Sequence, residues 1–172
     1  MRFPASALLF LGTFGSFALA KFENARLNKN NSMLLVVDHQ IGLFNVVRDA
    51  TPEEFRNNMI AHAAIGKLVN LPTILTTSGQ AGPNGPLPHE IPEMHPNAPL
   101  IKRAGPINAW DSPEFRAAVK ATGKSQVILA AITTDVCATL LALSLVEEGY
   151  TVFHNAEASG AASERIAFNA NN

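Results

Sequence analysis

Met33–Asp38 reads MLLVVD, an unbroken apolar run that ends in a carboxylate. A run without alternation suits a strand buried on both faces, the condition of a parallel sheet. Downstream, Thr51-Pro52-Glu53-Glu54 opens a helix: Thr51 can cap, Pro52 fits the first helical position and Glu54 completes a capping box. Phe55, Met59, His62, Ala63 and residues 65–69 then recur at near-helical spacing. Leu71-Pro72 ends that helix, and residues 72–77, PTILTT, form a second strand. Residues 100–102 make a short third strand. A helix capped at 111–114 runs to about Thr122, with Gly123 after it. Residues 125–131, SQVILAA, are a fourth strand. After a turn at 132–136, a helix from Cys137 to Glu148 is stopped by Gly149, and 150–153 is a fifth strand. Strands alternating with helices indicate βαβ units, and right-handed crossovers make a three-layer α/β/α sandwich on a parallel, Rossmann-like sheet.

Composition agrees with one such domain. The chain has 172 residues, 47% of them hydrophobic and 16% charged, which excludes a disordered chain. Its formal net charge of −1 supplies no basic field for nucleic acid. One cysteine excludes an internal disulfide framework and a thiolate zinc cluster. There is no GxGxxG and no P-loop, so no nucleotide cofactor is indicated. The five histidines, His39, His62, His89, His95 and His154, show no metal-ligand spacing and are read as non-ligands.

The first twenty residues, MRFPASALLFLGTFGSFALA, stand apart. Arg2, an apolar stretch and Ala18-Leu19-Ala20 give the three-part pattern of a secretory signal. The stretch is short and broken by Gly12, Gly15 and Ser16, unlike a membrane span. The expectation is a signal peptide over 1–20, a secreted domain over 21–172 and no membrane attachment after cleavage. Asn30-Asn31-Ser32 is an N-x-S sequon expected to be exposed ahead of the first strand. In an oxidising compartment Cys137 is a buried inert thiol, an intermolecular disulfide or a functional group.

In a parallel sheet the ligand crevice lies outside the carboxyl ends of the strands. Three chemical groups fall there: Asp38 after the first strand, Lys102 and Arg103 at the third, and Cys137 after the fourth. A carboxylate, a cation and a thiol at one edge suit nucleophilic catalysis. A helix start at Cys137 favours thiolate and offers amides to an oxyanion. Asp38 can take the thiol proton and return it to a leaving amine, with the cation holding it ionised. The same residues also read as a core cysteine, a turn-capping carboxylate and a solvated basic pair. On a strand, Lys102 and Arg103 cannot both address Asp38. Residues 78–99 hold six of the eleven prolines, a loop long enough to be functional. It marks no domain boundary, because neither flank forms a core alone.

The strings LLVVDHQIGL, NLPTILTTS, GPNGPL, INAWD and AITTDVCATLLALSLVEEGY, in this order and spacing, resemble the isochorismatase-like cysteine hydrolases, and among them the YcaC-type branch. The likeness runs from about Leu27 to Ser163. It implies a parallel sheet flanked by helices and a triad of aspartate, basic residue and cysteine. By position Asp38 is the general base and Cys137 the nucleophile. Spacing back from INAWD favours Arg103 as the basic member, although the family more often has lysine, so Lys102 stays open. The resemblance also implies a non-proline cis bond at Ile132–Thr133, an oxyanion hole from the Thr133 and Cys137 amides, and Gln40, Phe44, Asn108 and Trp110 near the pocket. It implies neither metal nor other cofactor here, since the aspartate-and-histidine pattern of metal-binding amidases is absent.

Measured against that family the chain is short after Asn172, lacking an edge strand and a last helix. The open edge leads to the expectation of a homo-oligomer whose partners cover it, or of a truncated product that folds poorly. The expected activity is a secreted cysteine hydrolase cleaving an amide-type C–N bond of a small molecule. The alternatives are a non-catalytic protein that keeps the fold for assembly or binding, and a binding module using the proline-rich loop.

Overall fold

The computed structural model describes residues 26–172. The expected signal segment lies outside the described residues. Five strands form one parallel sheet: β1 (Ser32–Val37), β2 (Thr73–Ser78), β3 (Leu100–Arg103), β4 (Gln126–Ala131) and β5 (Thr151–His154), in the order β3-β2-β1-β4-β5. The helices are α1 (Pro52–Leu68), α2 (Glu90–Met94), α3 (Pro113–Ala121), α4 (Thr139–Glu147) and α5 (Glu164–Asn171).

Every residue of β1 is buried, as the apolar run predicts for the central strand. Its alternate side chains feed two different cores. Met33, Leu35 and Val37 pack with Phe115, Val119, Leu141 and Leu145 from α3 and α4. Leu34 and Val36 pack with Met59 and Ala63 of α1 and Ile91 of α2. This division by pleat parity is what makes three layers.

Local signals place the helix ends. The Glu54 amide donates to the Thr51 hydroxyl at 3.3 Å, with Pro52 in the first turn. The Glu54 carboxylate accepts from that same hydroxyl rather than from a backbone amide, so the box is only half formed. Ser112 caps α3 by accepting from the Phe115 amide. Asn30 is exposed, as expected of the sequon, while Ser32 is fully buried with its hydroxyl on the Asn28 carbonyl.

Two expectations need correction. The loop 78–99 contains α2, whose Ile91 is fully buried against α1. Helical structure after β4 also begins earlier than Cys137. A π-helical turn spans Thr134–Ala138, closed by the Ala138 amide reaching back five residues to the Thr133 carbonyl at 3.0 Å. Cys137 therefore lies inside that turn and not at a helix start. Among the described residues β5 is a sheet edge, and Leu143, Val146 and Phe168 are exposed nearby.

Beneath the sheet two histidines are buried in neutral form. His39 Nε2 donates to the Ala158 carbonyl at 2.8 Å and His62 Nε2 to the Leu35 carbonyl at 3.0 Å, since a carbonyl only accepts. Burial, the largest cause for each, drives His39 down to about 3, helped by His62, and His62 down to about 4. Folded values below the unfolded value mean that the unfolded chain binds more protons at acid pH. The stabilisation is present above about pH 6.5 and is lost as pH falls toward these folded values, at up to about 3 kcal/mol per pH unit for the two together. Urea denaturation midpoints are expected to drop steeply between pH 7 and 5, and a flat profile would contradict the buried neutral pair.

Candidate active site

The strand order reverses direction between β1 and β4, and the crevice at such a switch point is where open α/β sheets bind ligands. Asp38 follows β1 there, in the left-handed conformation at φ 56°, which aspartate tolerates better than most residues. Its amide donates to the Thr76 carbonyl at 3.0 Å, and its side chain is fully buried.

Arg103 is the cation that meets it. One guanidinium nitrogen, Nη2, lies 2.5 Å from each carboxylate oxygen of Asp38. The other donors go to the scaffold: Nε to the Thr76 hydroxyl at 3.0 Å, and Nη1 to the Pro106 and Ile107 carbonyls at 2.6 and 3.0 Å. The geometry is thus a single-nitrogen bridge and not a two-pronged fork, with the fork's remaining arms fixing the residue in place. Lys102, one residue earlier, is exposed and lines a neighbouring cleft with Gly79, Gln80 and Ala104. The pleat separates the two, and the partner of Asp38 is Arg103.

Cys137 is half-buried and its thiol is within hydrogen-bonding reach of the Asp38 carboxylate. Burial, and then the Asp38 charge, push the thiol up to about 12, against smaller opposite pulls from the Thr133 amide and Arg103. The lowered thiol expected at a helix start is therefore not met: burial and the neighbouring carboxylate push it up instead, and no helix end begins at it. Burial also raises the Asp38 carboxyl above its ordinary value, with Arg103 pulling the other way. A carboxylate whose proton affinity rises beside a protonated thiol is suited to general-base work. The Ile132–Thr133 peptide is cis, and the Thr133 amide points at the Cys137 sulfur.

A cleft of about 410 Å³ opens over this sulfur. Leu43, Val46, Ile107, Ile132 and Val136 give its apolar wall, and Ser78, Asn84 and Thr133 its polar groups. The loop 79–85 is pinned to the segment after β1. Gly42 donates to the Asn84 carbonyl at 2.9 Å, and a Cβ there would lie 1.9 Å from the Pro83 carbonyl oxygen, so only glycine permits this approach.

Gln40, Phe44, Asn108 and Trp110, expected near the pocket, are not among the lining residues. Gln40 is buried and ties strands together, accepting from the Ser78 amide at 2.8 Å and donating to the Gly85 carbonyl. Phe44 packs edge-on against Phe55. Asn108 caps a turn through the Trp110 amide and bonds Ser144, and Trp110 is core, between Phe115 and Tyr150. Conversely, the structure adds Thr76 and Ser78 to the site. Thr76 anchors Arg103, and Ser78 reaches the Asp38 carboxylate. Their signal was available in TILTTS, where two polar residues two apart share one face at the carboxyl end of β2.

The five histidines lie elsewhere, mostly bound to backbone or neighbouring side chains: His95 to the Ala63 carbonyl, His154 to Ser159 and Asn171, and His89 beside Glu90.

Comparison with known proteins places this arrangement in context. The model of the isochorismatase domain matches residues 32–171. Over 139 residues the chain is 52% identical to the probable hydrolase YcaC of Escherichia coli (strain K12), covering 81% of this chain and 67% of the relative. The structure of YcaC from Pseudomonas aeruginosa with hexane-2,5-diol and covalent acrylamide superposes with a TM-score of 0.85 at 52% identity, over 87% of this chain and 74% of that one. The Escherichia coli YcaC structure, described as an octameric hydrolase of unknown specificity, gives a TM-score of 0.83 at 51% identity, over 84% and 71%.

Proposed function

The chain belongs to the isochorismatase family, and from that premise we propose that it is a cysteine hydrolase that cleaves an amide-type C–N bond in a small molecule. The observation that carries this reading is the meeting of a buried Asp38–Arg103 pair with the Cys137 thiol at the floor of one cleft. Attack of the sulfur on a substrate carbonyl carbon passes the thiol proton to Asp38, so no free thiolate need accumulate. The carbonyl oxygen gains negative charge and is held by the Thr133 and Cys137 amides. Collapse breaks the C–N bond, and protonated Asp38 gives its proton to the departing amine, leaving a thioester. Water then adds to the thioester with Asp38 as base, releasing the acid and restoring the thiol. Arg103 positions Asp38 throughout. No step calls for a metal or other cofactor.

Two further facts support the reading. The 52% identical Pseudomonas aeruginosa YcaC holds covalent acrylamide, an electrophile of the kind that thiols capture. The Escherichia coli relative, at 51–52% identity, is a probable hydrolase. The test is ammonia or amine release across a panel of small amides by the purified protein, with Cys137→Ala as control. Turnover that survives the control would contradict the nucleophile assignment, and the non-catalytic alternative predicts no turnover at all.

The leader at 1–20 supports secretion of the domain 21–172. Extracellular protein is expected to begin at Lys21 on N-terminal sequencing, and recovery of extracellular chains that still begin at Met1 would reject it. The octameric state described for the Escherichia coli relative supports a homo-oligomer here, readable as a mass several times that of the chain in solution.

A further inference from the structure

The cleft over Cys137 carries a substrate preference in its lining. Among the described residues no charged side chain lines it. Leu43, Val46, Ile107 and Val136 surround the entrance, with Val46 40% and Ile107 60% exposed. The charges closest to the sulfur, Asp38 and Arg103, neutralise one another, and Arg103 has its donors committed to Asp38, Thr76, Pro106 and Ile107. A carboxylate brought into this space would lose its water and find no counter-ion.

We propose that the cleft selects uncharged amides with a short aliphatic or aromatic acyl group and rejects anionic ones, with Leu43, Val46 and Ile107 setting the choice. The proposal rests on the cysteine-hydrolase reading and adds the substrate class to it. The volume of about 410 Å³ lies at the lower end of small-molecule sites. The exposed Lys102 belongs to an adjoining cleft of about 660 Å³, which shares Gly79, Asn84 and Ala104 with this one and does not include Cys137.

The test compares kcat/KM for two matched series with the full chain: butyramide, hexanamide and benzamide against succinamate, adipamate and terephthalamate, which differ by one carboxylate. The neutral member of each pair is expected to win by at least about tenfold, the scale on which an apolar pocket discriminates. Ile107→Lys puts a cation at the rim on an exposed side chain while keeping the carbonyl that holds Arg103, and is expected to shift the ratio toward the anionic series by about tenfold or more. Equal rates for the two series, or faster anionic ones, would overturn the proposal while turnover that depends on Cys137 kept the hydrolase reading intact. Loss of an anionic advantage in Lys102→Ala would identify Lys102 as the reader of a substrate carboxylate, and would overturn it likewise. Turnover of neither series would count against the hydrolase reading itself and remove this proposal with it.

Discussion

Cys137→Ser is expected to lower kcat by about 10³-fold or more while leaving the unfolding free energy within about 1 kcal/mol of the parent. The substitution is nearly isosteric and the side chain faces a cleft, so little packing is lost. The chemistry changes far more. Burial and Asp38 already hold the thiol at about 12, and an alcohol in the same surroundings gives up its proton with still greater difficulty. The thioester route also becomes an ester route, with a harder nucleophile at its start. Steady-state turnover beside a urea melt separates the two readouts, and full activity in the serine variant would remove Cys137 from the nucleophile's role.

Arg103→Ala is expected to abolish activity and to cost about 3–5 kcal/mol of stability, the scale for leaving one partner of a buried ion pair uncompensated. Both side chains of this pair are fully buried, so water cannot substitute for the guanidinium. Without it Asp38 stays protonated and cannot accept the thiol proton, and Thr76 and the Pro106 and Ile107 carbonyls lose their donor. Lys102→Ala, by contrast, should keep most of the activity, since that side chain is exposed in the neighbouring cleft. Arg103→Lys adds a further readout. It keeps the charge but supplies too few donors for these partners, so stability should recover more than kcat. A result in which Lys102→Ala is the damaging change would move the basic role one residue.

Much of this geometry is legible in the sequence, and the limits have physical causes. The MLLVVD run identifies a central strand because only a strand covered on both faces is apolar throughout. Pleat parity states that one of Lys102 and Arg103 faces Asp38, but which one depends on the register of β2 with β3, where Ser78 pairs with Arg103. That register is tertiary information. The thiol's environment escapes the sequence for a similar reason. A helix-end argument is local, whereas burial and the Asp38 charge come from segments a hundred residues away. The π-helical turn at Thr134–Ala138 shifts the first helical residue ahead of the apolar repeat and so hides it from a period of 3.6. Gln40, Asn108 and Trp110 fall near the site in sequence, yet their hydrogen bonds and packing go to the scaffold.

The central claim is a covalent acyl group on Cys137. Mixing the protein with a slow amide substrate, quenching in acid during turnover and measuring intact mass tests it most directly. The account predicts a mass increase equal to the acyl group, mapped by peptide analysis to Cys137, released by neutral hydroxylamine and absent from Cys137→Ser. Turnover with no acyl adduct at Cys137, or an adduct carried by a different residue, would contradict it.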